Sequence, residues 1–206
     1  MFRARLQQHL HEHLIGYIFV VVLFSVGVVF GAVAVKALTF TQKQELLQFL
    51  RQFFSSGVAT PVGTAAFAQT LSANLQLAAL IWLLGVLIIG LLIVIVIVFF
   101  QGFVLGFSVG FLVDQMGMRG LLFAAGSVLP HNLLLVPAIL ALAAMAIHFT
   151  YQVLRPSIRQ RRLTYGQRFA QYSGNALLLA LIIFGASAVE TWLSPALARL
   201  VARIFQ

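Results

Sequence analysis

Long apolar stretches without charged residues organise this chain. Asp, Glu, Lys and Arg are absent from residues 14–35, 52–113 and 120–154. Stretches of this length, rich in Leu, Ile, Val, Phe, Ala and Gly, are typical of membrane-spanning helices. The pattern predicts an all-α polytopic integral membrane protein with one helical membrane domain over residues 1–206 and about five transmembrane helices. The predicted spans are about 14–36, 75–100, 101–129, 133–154 and 173–194, the third of them broken near 114–132.

A different pattern fills the connection after the first span. Residues 41–54 place apolar and polar side chains on opposite faces of a helix, which indicates an amphipathic helix in the membrane interface. Thr41 and Gln44 have the spacing of a capping box at its start. Its apolar face and an acid near the end of the fifth span are the predicted partner-docking groups. They are Leu46, Phe49, Leu50, Phe53 and Glu190.

Glycines recur every four residues in two of the predicted spans. Gly27 and Gly31 lie in the first span, and Gly102, Gly106 and Gly110 lie in the third. This spacing produces a flat helix face that lets another backbone approach closely. Two interpretations stay open: the faces pack against neighbouring spans of the same chain, or they form a homo-oligomer or partner-docking face.

Polar residues and prolines interrupt the apolar pattern between the third and fourth spans. Asp114 and Arg119 form either a turn at the interface, with Gly117 supplying the bend, or a polar point in a translocation path. Proline leaves backbone carbonyls without a donor, and His and Asn side chains can satisfy such groups. This region therefore either caps two helices or binds a ligand or proton. The helix-break residues are Asp114, Arg119, Pro130, His131, Asn132 and Pro137.

Charge sets the expected topology. The net charge is +9, and the basic residues cluster at the ends of the apolar stretches, where they determine orientation. We therefore do not expect nucleic acid as a partner. The five arginines of residues 155–171 and the basic N-terminus should be cytoplasmic. Two points on the same side of a membrane need an even number of crossings between them. Apart from residues 101–129, three predicted spans lie between the N-terminus and the arginine-rich loop, so residues 101–129 must also cross. The C-terminus is then extracytoplasmic in this multi-pass protein of the cell membrane.

The residues offer little for catalysis. Of 206 residues, 62% are hydrophobic and only 8% charged, against about 25% charged in a soluble domain. Catalytic triads, paired carboxylates and nucleotide-binding glycine loops do not occur. His9, His11 and His13 are spaced by two, so they do not share a helix face as metal ligands would need. We therefore expect a non-enzymatic protein without metal or cofactor.

Several short segments, in order, carry a family resemblance. They are GVVFGA at 27–32, LTFTQKQELLQFLRQFF at 38–54, GFSVGFLVDQMG at 106–117, SVLPHNLLLVPA at 127–138 and VETWLSP at 189–195. With these segments the chain resembles the stage II sporulation protein M family over nearly its whole length. Many broader relatives carry a glycine and a glutamate at the positions of Asn132 and Leu135. A proton or cation role of that glutamate would be lost in this chain.

The resemblance implies a function in the engulfment stage of sporulation. It implies a scaffold in the mother-cell membrane at the engulfing septum. Its partners would be stage II sporulation proteins D and P, which degrade septal peptidoglycan while the membrane migrates around the forespore. A homodimer or higher homo-oligomer in the lipid bilayer is expected. The alternative is a permease-like subunit of an ATP-driven transporter, or a channel, because broken helices also occur in transport proteins.

Overall fold

A computed structural model gives the arrangement of the chain. It describes the backbone of residues 2–55, 63–87, 89–154 and 165–193, and the side chains of the same ranges from Gly16 onward except 49–55. Several sequence predictions concern groups outside the described residues. These are the side chains of His9, His11, His13, Phe49, Leu50 and Phe53, most of the arginine-rich loop, and the C-terminal tail.

The described residues are helical almost throughout and include no strand. The helices are α1 (Phe2–Ala37), α2 (Phe40–Ser55), α3 (Thr64–Val86), α4 (Gly90–Met116), α5 (Met118–Ser127), α6 (Leu129–Leu154) and α7 (Tyr165–Ala188), followed by a π-helical turn (Val189–Leu193). Five segments are long and apolar enough to cross a membrane: Gly16–Ala37 of α1, α3, α4, α6, and Tyr165–Leu193. The prediction of an all-α polytopic membrane protein is confirmed.

The second span differs from its predicted position. The expected span 75–100 contains the junction between α3 and α4, where α3 ends at Val86 and α4 begins at Gly90. The amide of Leu87 donates to the Leu84 carbonyl, and the amide of Gly90 donates to the Leu87 carbonyl. A Cβ on Gly90 would overlap the Leu84 carbonyl oxygen, so glycine permits the reversal.

Distant side chains complete this junction. The last carbonyls of a helix have no partner within the helix and need other donors, above all in hydrocarbon. The Thr150 hydroxyl donates to the Gly85 carbonyl at 2.7 Å, and the Tyr172 hydroxyl donates to the Trp82 carbonyl at 3.0 Å. The turn therefore forms within an uninterrupted apolar sequence because α6 and α7 supply its donors.

The break in the predicted third span lies at Gly117. This glycine has a φ of 59°, in the left-handed region, and its amide donates to the Val113 carbonyl at the end of α4. The span itself is α4, which lies earlier in the chain than residues 101–129. After the bend, α5 has only 10 residues, or about 15 Å, which is half of a hydrocarbon core of about 30 Å.

The amphipathic helix begins slightly earlier than expected. The Thr39 backbone amide donates to the Gln42 side chain at 2.9 Å, and the Gln42 amide donates to the Thr39 hydroxyl at 3.4 Å. The capping box is therefore Thr39 with Gln42, and the assignment to Thr41 and Gln44 was wrong. The pattern T-x-x-Q occurs twice in overlapping positions, at Thr39 with Gln42 and at Thr41 with Gln44. The capping residue is Thr39, because it lies directly before Phe40, where α2 starts.

The spans assemble around α6. In its most apolar stretch 50% of the residues are buried, against 17–28% in the other spans, and α6 contacts α1, α3, α4, α5 and α7. Residues from α1, α3, α4 and α6 meet in the core, among them Val20, Ile81, Val94 and Leu142. The lipid-facing side of α4 is a stripe of exposed residues, Leu92, Val96, Phe100 and Val104.

The bundle has two ends that differ in polar groups. At one end, α4 finishes near Asp114, and Phe67 of α3 stacks on Trp192 of the π-helical turn with ring centroids 5.0 Å apart. We call this the Asp114 end. At the other end, which we call the Arg168 end, the Arg168 guanidinium donates to the Gln152 carbonyl at 3.1 Å. A Cβ on Gly16 would lie 4.0 Å from the Ala144 carbonyl oxygen, so α1 begins toward the Arg168 end.

Candidate functional site

The glycines of α1 and α4 face each other within one chain. A Cβ on Gly31 would overlap the Phe103 carbonyl oxygen, and one on Gly106 would overlap the Val28 carbonyl oxygen. Gly27 and Gly102 approach the opposite backbone in the same way, and a Cβ on Gly110 would lie 3.0 Å from the Ala32 Cα. Later residues of α1 contact later residues of α4, so the two helices run parallel.

This close approach is a contact between backbones. The glycine hydrogens that replace Cβ point at carbonyl oxygens, which is the arrangement of Cα–H···O contacts between close helices. Beside this seam, Phe103, Phe107 and Phe111 stack in a row with centroids 6.1 and 6.3 Å apart. The packing places the glycine faces between two spans of the same chain.

An ion pair joins α2 to the end of α4. The Lys43 ammonium lies 2.7 Å from the Asp114 carboxylate, and the Gln115 amide donates to the same carboxylate at 2.9 Å. Among the described side chains it is the ion pair that connects α2 with the bundle. Arg119, the other predicted charge at the break, lies exposed on α5 after the Gly117 bend. Asp114 therefore pairs across 71 residues with α2.

The Pro-His-Asn motif forms the first turn of α6. Pro130 is the second residue of that helix, where its missing N–H is tolerated. The Asn132 amide donates to the Val128 carbonyl at 2.8 Å and lies 3.0 Å from the His131 ring. Because α6 begins at Leu129, before the predicted residue 133, Pro137 lies inside the helix. There it removes the bond to the Leu133 carbonyl but does not break the helix, contrary to its assignment as a helix-break residue.

The π-helical turn builds a polar cluster that sequence reasoning missed. The Asn74 side-chain amide donates to the Ser187 hydroxyl at 3.0 Å and to the Glu190 carboxylate at 3.2 Å. Ser187 and Thr191 are buried, and each donates to the carbonyl four residues earlier. Glu190 also interacts electrostatically with His131. The widened turn thus directs Glu190 toward α3 and α6.

A cavity adjoins this cluster. It has a volume of about 310 Å³ and lies between α1, α4 and the start of α6. Its polar lining comes from Gln101, Ser108, His131 and Asn132, and the remainder is apolar. Val104 lines the cavity and is exposed on the lipid-facing side of α4, so the cavity opens toward lipid.

The polar side chains of the cluster and the cavity could bind a ligand and position it. They include one acid and one histidine that interact, Glu190 and His131. Among the described residues no group of three or more His, Cys, Asp or Glu side chains could hold a metal ion. The only sequence signal for the cluster was the isolated polarity of Asn74, Ser187 and Glu190 within apolar spans. The Asp114 end is therefore the candidate functional region. There α2 is joined to the bundle through Lys43, and the polar cluster and the cavity lie between the helices.

Comparison with known families agrees with the segments that carry the sequence resemblance. The family model for stage II sporulation protein M matches residues 20–195. That range starts within α1 and ends just after the π-helical turn, so it includes the glycine seam, the ion pair and the polar cluster. No curated protein and no solved structure matches the chain significantly. With 176 of its 206 residues matched, from 20 to 195 inclusive, this multi-pass membrane protein belongs to the sporulation-related stage II sporulation protein M family.

Proposed function

We propose that the chain is a non-enzymatic scaffold of the engulfment machinery, which recruits peptidoglycan hydrolases at the septal membrane of the mother cell. The proposed partners are stage II sporulation proteins D and P. The observation that carries the proposal is the ion pair between Lys43 and Asp114. It links the start of an amphipathic helix to one end of a tightly packed bundle, where a docking helix would be displayed.

The orientation of the bundle supports this assignment. The basic N-terminus belongs to the start of α1, and α1 begins at the Arg168 end. The arginine-rich loop follows α6, which finishes at the same end. Basic flanks mark the cytoplasmic side. The Asp114 end, with α2, then faces the compartment that contains the peptidoglycan. A tag at Gln206 should be accessible to external label in intact cells.

The docking surface is proposed to be the apolar face of α2. Within the described part of this helix, Leu46 is half-buried while Gln44 and Glu45 are exposed. Phe49, Leu50 and Phe53 continue the face in the sequence. Glu190 is engaged with Asn74 inside the bundle, so we assign it to stabilising the π-helical turn and not to partner contact.

Charge reversal tests the proposal. The variants Lys43→Glu and Asp114→Lys each remove the ion pair, and the double variant restores it with the charges exchanged. We expect both single variants to recover less hydrolase with the tagged protein from sporulating cells, and the double variant to recover wild-type amounts. Gln44→Glu adds a negative charge one residue away and serves as the matched control. Equal recovery with all variants, at equal membrane levels, would overturn the proposal.

A permease-like or channel subunit is the second candidate, and the lipid-open cavity beside His131 favours it. Such a subunit would need a separate nucleotide-hydrolysing partner, because the sequence contains no nucleotide-binding motif. Co-purification of an ATPase without the hydrolases would select this candidate.

A further inference from the structure

A second groove runs along the α1–α4 seam at the Asp114 end. It has a volume of about 440 Å³ and lies between the last third of α1 and the second half of α4. Its lining is apolar apart from the residues at its mouth. Its lining includes Ala32, Lys36, Gly106, Val109, Gly110 and Asp114.

The shape of the groove follows from the same glycines that bring the helices together. Ala32, Gly106 and Gly110 have at most a methyl side chain, so the floor is low, and larger residues such as Val109 form the walls. From Leu105 to Asp114 an α-helix rises about 14 Å. One leaflet of the hydrocarbon core is about 15 Å thick, half of the whole core of about 30 Å. The groove therefore has the length of one acyl chain within one leaflet.

Charge at the mouth favours an anionic headgroup. Lys36 is exposed at the end of the groove and interacts electrostatically with Asp114. The Asp114 carboxylate is already bound by Lys43 and Gln115. Two lysines and one carboxylate give the mouth a net positive charge. Lys36 lies at the end of the apolar span Gly16–Ala37, where a span meets the lipid headgroups.

We propose that this groove binds one anionic phospholipid, with an acyl chain along the α1–α4 seam and its phosphate at Lys36. The neighbouring cavity beside His131 has no lysine or arginine among its lining residues, so we do not assign it this preference. The bound lipid would lie over the contact that Gly106 and Gly110 make with the backbones of Val28 and Ala32. This goes beyond the scaffold function and does not depend on it.

Native mass spectrometry of the purified full-length protein in detergent tests the proposal. The probes are phosphatidylglycerol, phosphatidylcholine with the same chains, and glycerol phosphate without chains. We expect one phosphatidylglycerol to bind about fivefold more tightly than phosphatidylcholine, the preference that one basic side chain gives near a membrane surface. Glycerol phosphate should not compete at equal concentration.

Two variants and one control locate the site. Lys36→Gln, at an exposed position that leaves packing intact, should remove the preference for phosphatidylglycerol. Val109→Phe should fill the groove and reduce binding of both lipids, whereas Val96→Phe, on the lipid-facing side of α4, should not. Equal binding of the two lipids by the wild type, or unchanged preference in Lys36→Gln, would overturn the proposal. So would competition by glycerol phosphate alone, or a dimer that Val109→Phe dissociates, because a second copy would then occupy the groove.

Discussion

Replacing Gly106 by leucine introduces a side chain at the tightest part of the α1–α4 seam. A Cβ at this position would overlap the carbonyl oxygen, carbon and Cα of Val28. These are backbone atoms, so no rotamer change can relieve the overlap and the two helices must separate. The same substitution at Gly174 on α7 meets nothing within 4 Å, which makes Gly174→Leu the matched control.

The expected cost of Gly106→Leu has two parts. Overpacking against a rigid backbone costs about 3 kcal/mol, the upper part of the usual range. Separating the helices also weakens the flanking Cα–H···O contacts at Gly31 and Gly102, at about 0.5 kcal/mol each. The free energy of unfolding should therefore fall by about 4 kcal/mol, a factor of about a thousand in the folding equilibrium constant.

Equilibrium unfolding in mixed micelles measures this change. Detergent composition is varied, and the midpoint and slope of the transition give the free energy of unfolding for wild type and both variants. Gly174→Leu should lie within about 0.5 kcal/mol of the wild type, as is usual for a substitution away from packed contacts. If Gly106→Leu also stays within that range, the close contact between α1 and α4 is refuted.

Three further predictions follow from the same packing and from the docking helix. In the variant Ala32→Cys with Gly110→Cys, the two Cβ atoms lie 3.4 Å apart, near the usual disulfide separation, so oxidation should form an intrachain bond. Non-reducing gels and intact mass should show a monomer, and a disulfide-linked dimer would contradict the intramolecular seam. Thr150→Val should lower the free energy of unfolding by about 1 kcal/mol in the micelle assay, because a carbonyl at the end of α3 loses its donor. Phe49→Glu with Phe53→Glu should reduce hydrolase recruitment while membrane insertion stays intact, and unchanged recruitment would exclude this face of α2.

Controls for these variants are available in the same chain. The sequence contains no cysteine, so an introduced pair reports on its own contact without background disulfides. Thr41→Val changes an exposed threonine of α2 and should leave the free energy of unfolding unchanged. Gln44→Glu and Gln48→Glu add two charges to the polar face of α2 and should preserve recruitment.

The number and type of spans were predictable, but one boundary was not. Apolar stretches of sufficient length predict crossing helices whatever their partners are. The junction at Leu87 lies inside such a stretch, and its hydrogen-bond donors, Thr150 and Tyr172, are 65 and 90 residues distant from their acceptors. Hydropathy carries no information on such donors, so the second and third spans were placed too late in the chain.

The site shows the same limit. The four-residue glycine spacing predicted close packing, because it depends only on local helix geometry. It did not identify α1 and α4 as partners of each other. The Asn74 cluster was missed because the π-helical turn that directs Glu190 toward α3 has no signature in composition. Asp114 was predicted to belong to an interfacial turn or a translocation path, and Lys43 was not evident as its partner, since the pair forms only after the chain has crossed the bundle twice, in α3 and α4.

The scaffold function is tested most directly by recovering the tagged protein from sporulating cells in mild detergent and identifying co-purifying proteins by mass spectrometry. We expect to recover stage II sporulation proteins D and P, without an ATPase, and to lose both in the Lys43→Glu variant. Recovery of a nucleotide-hydrolysing subunit in place of the two hydrolases would contradict the scaffold function, and the cavity beside His131 would then be the candidate substrate path.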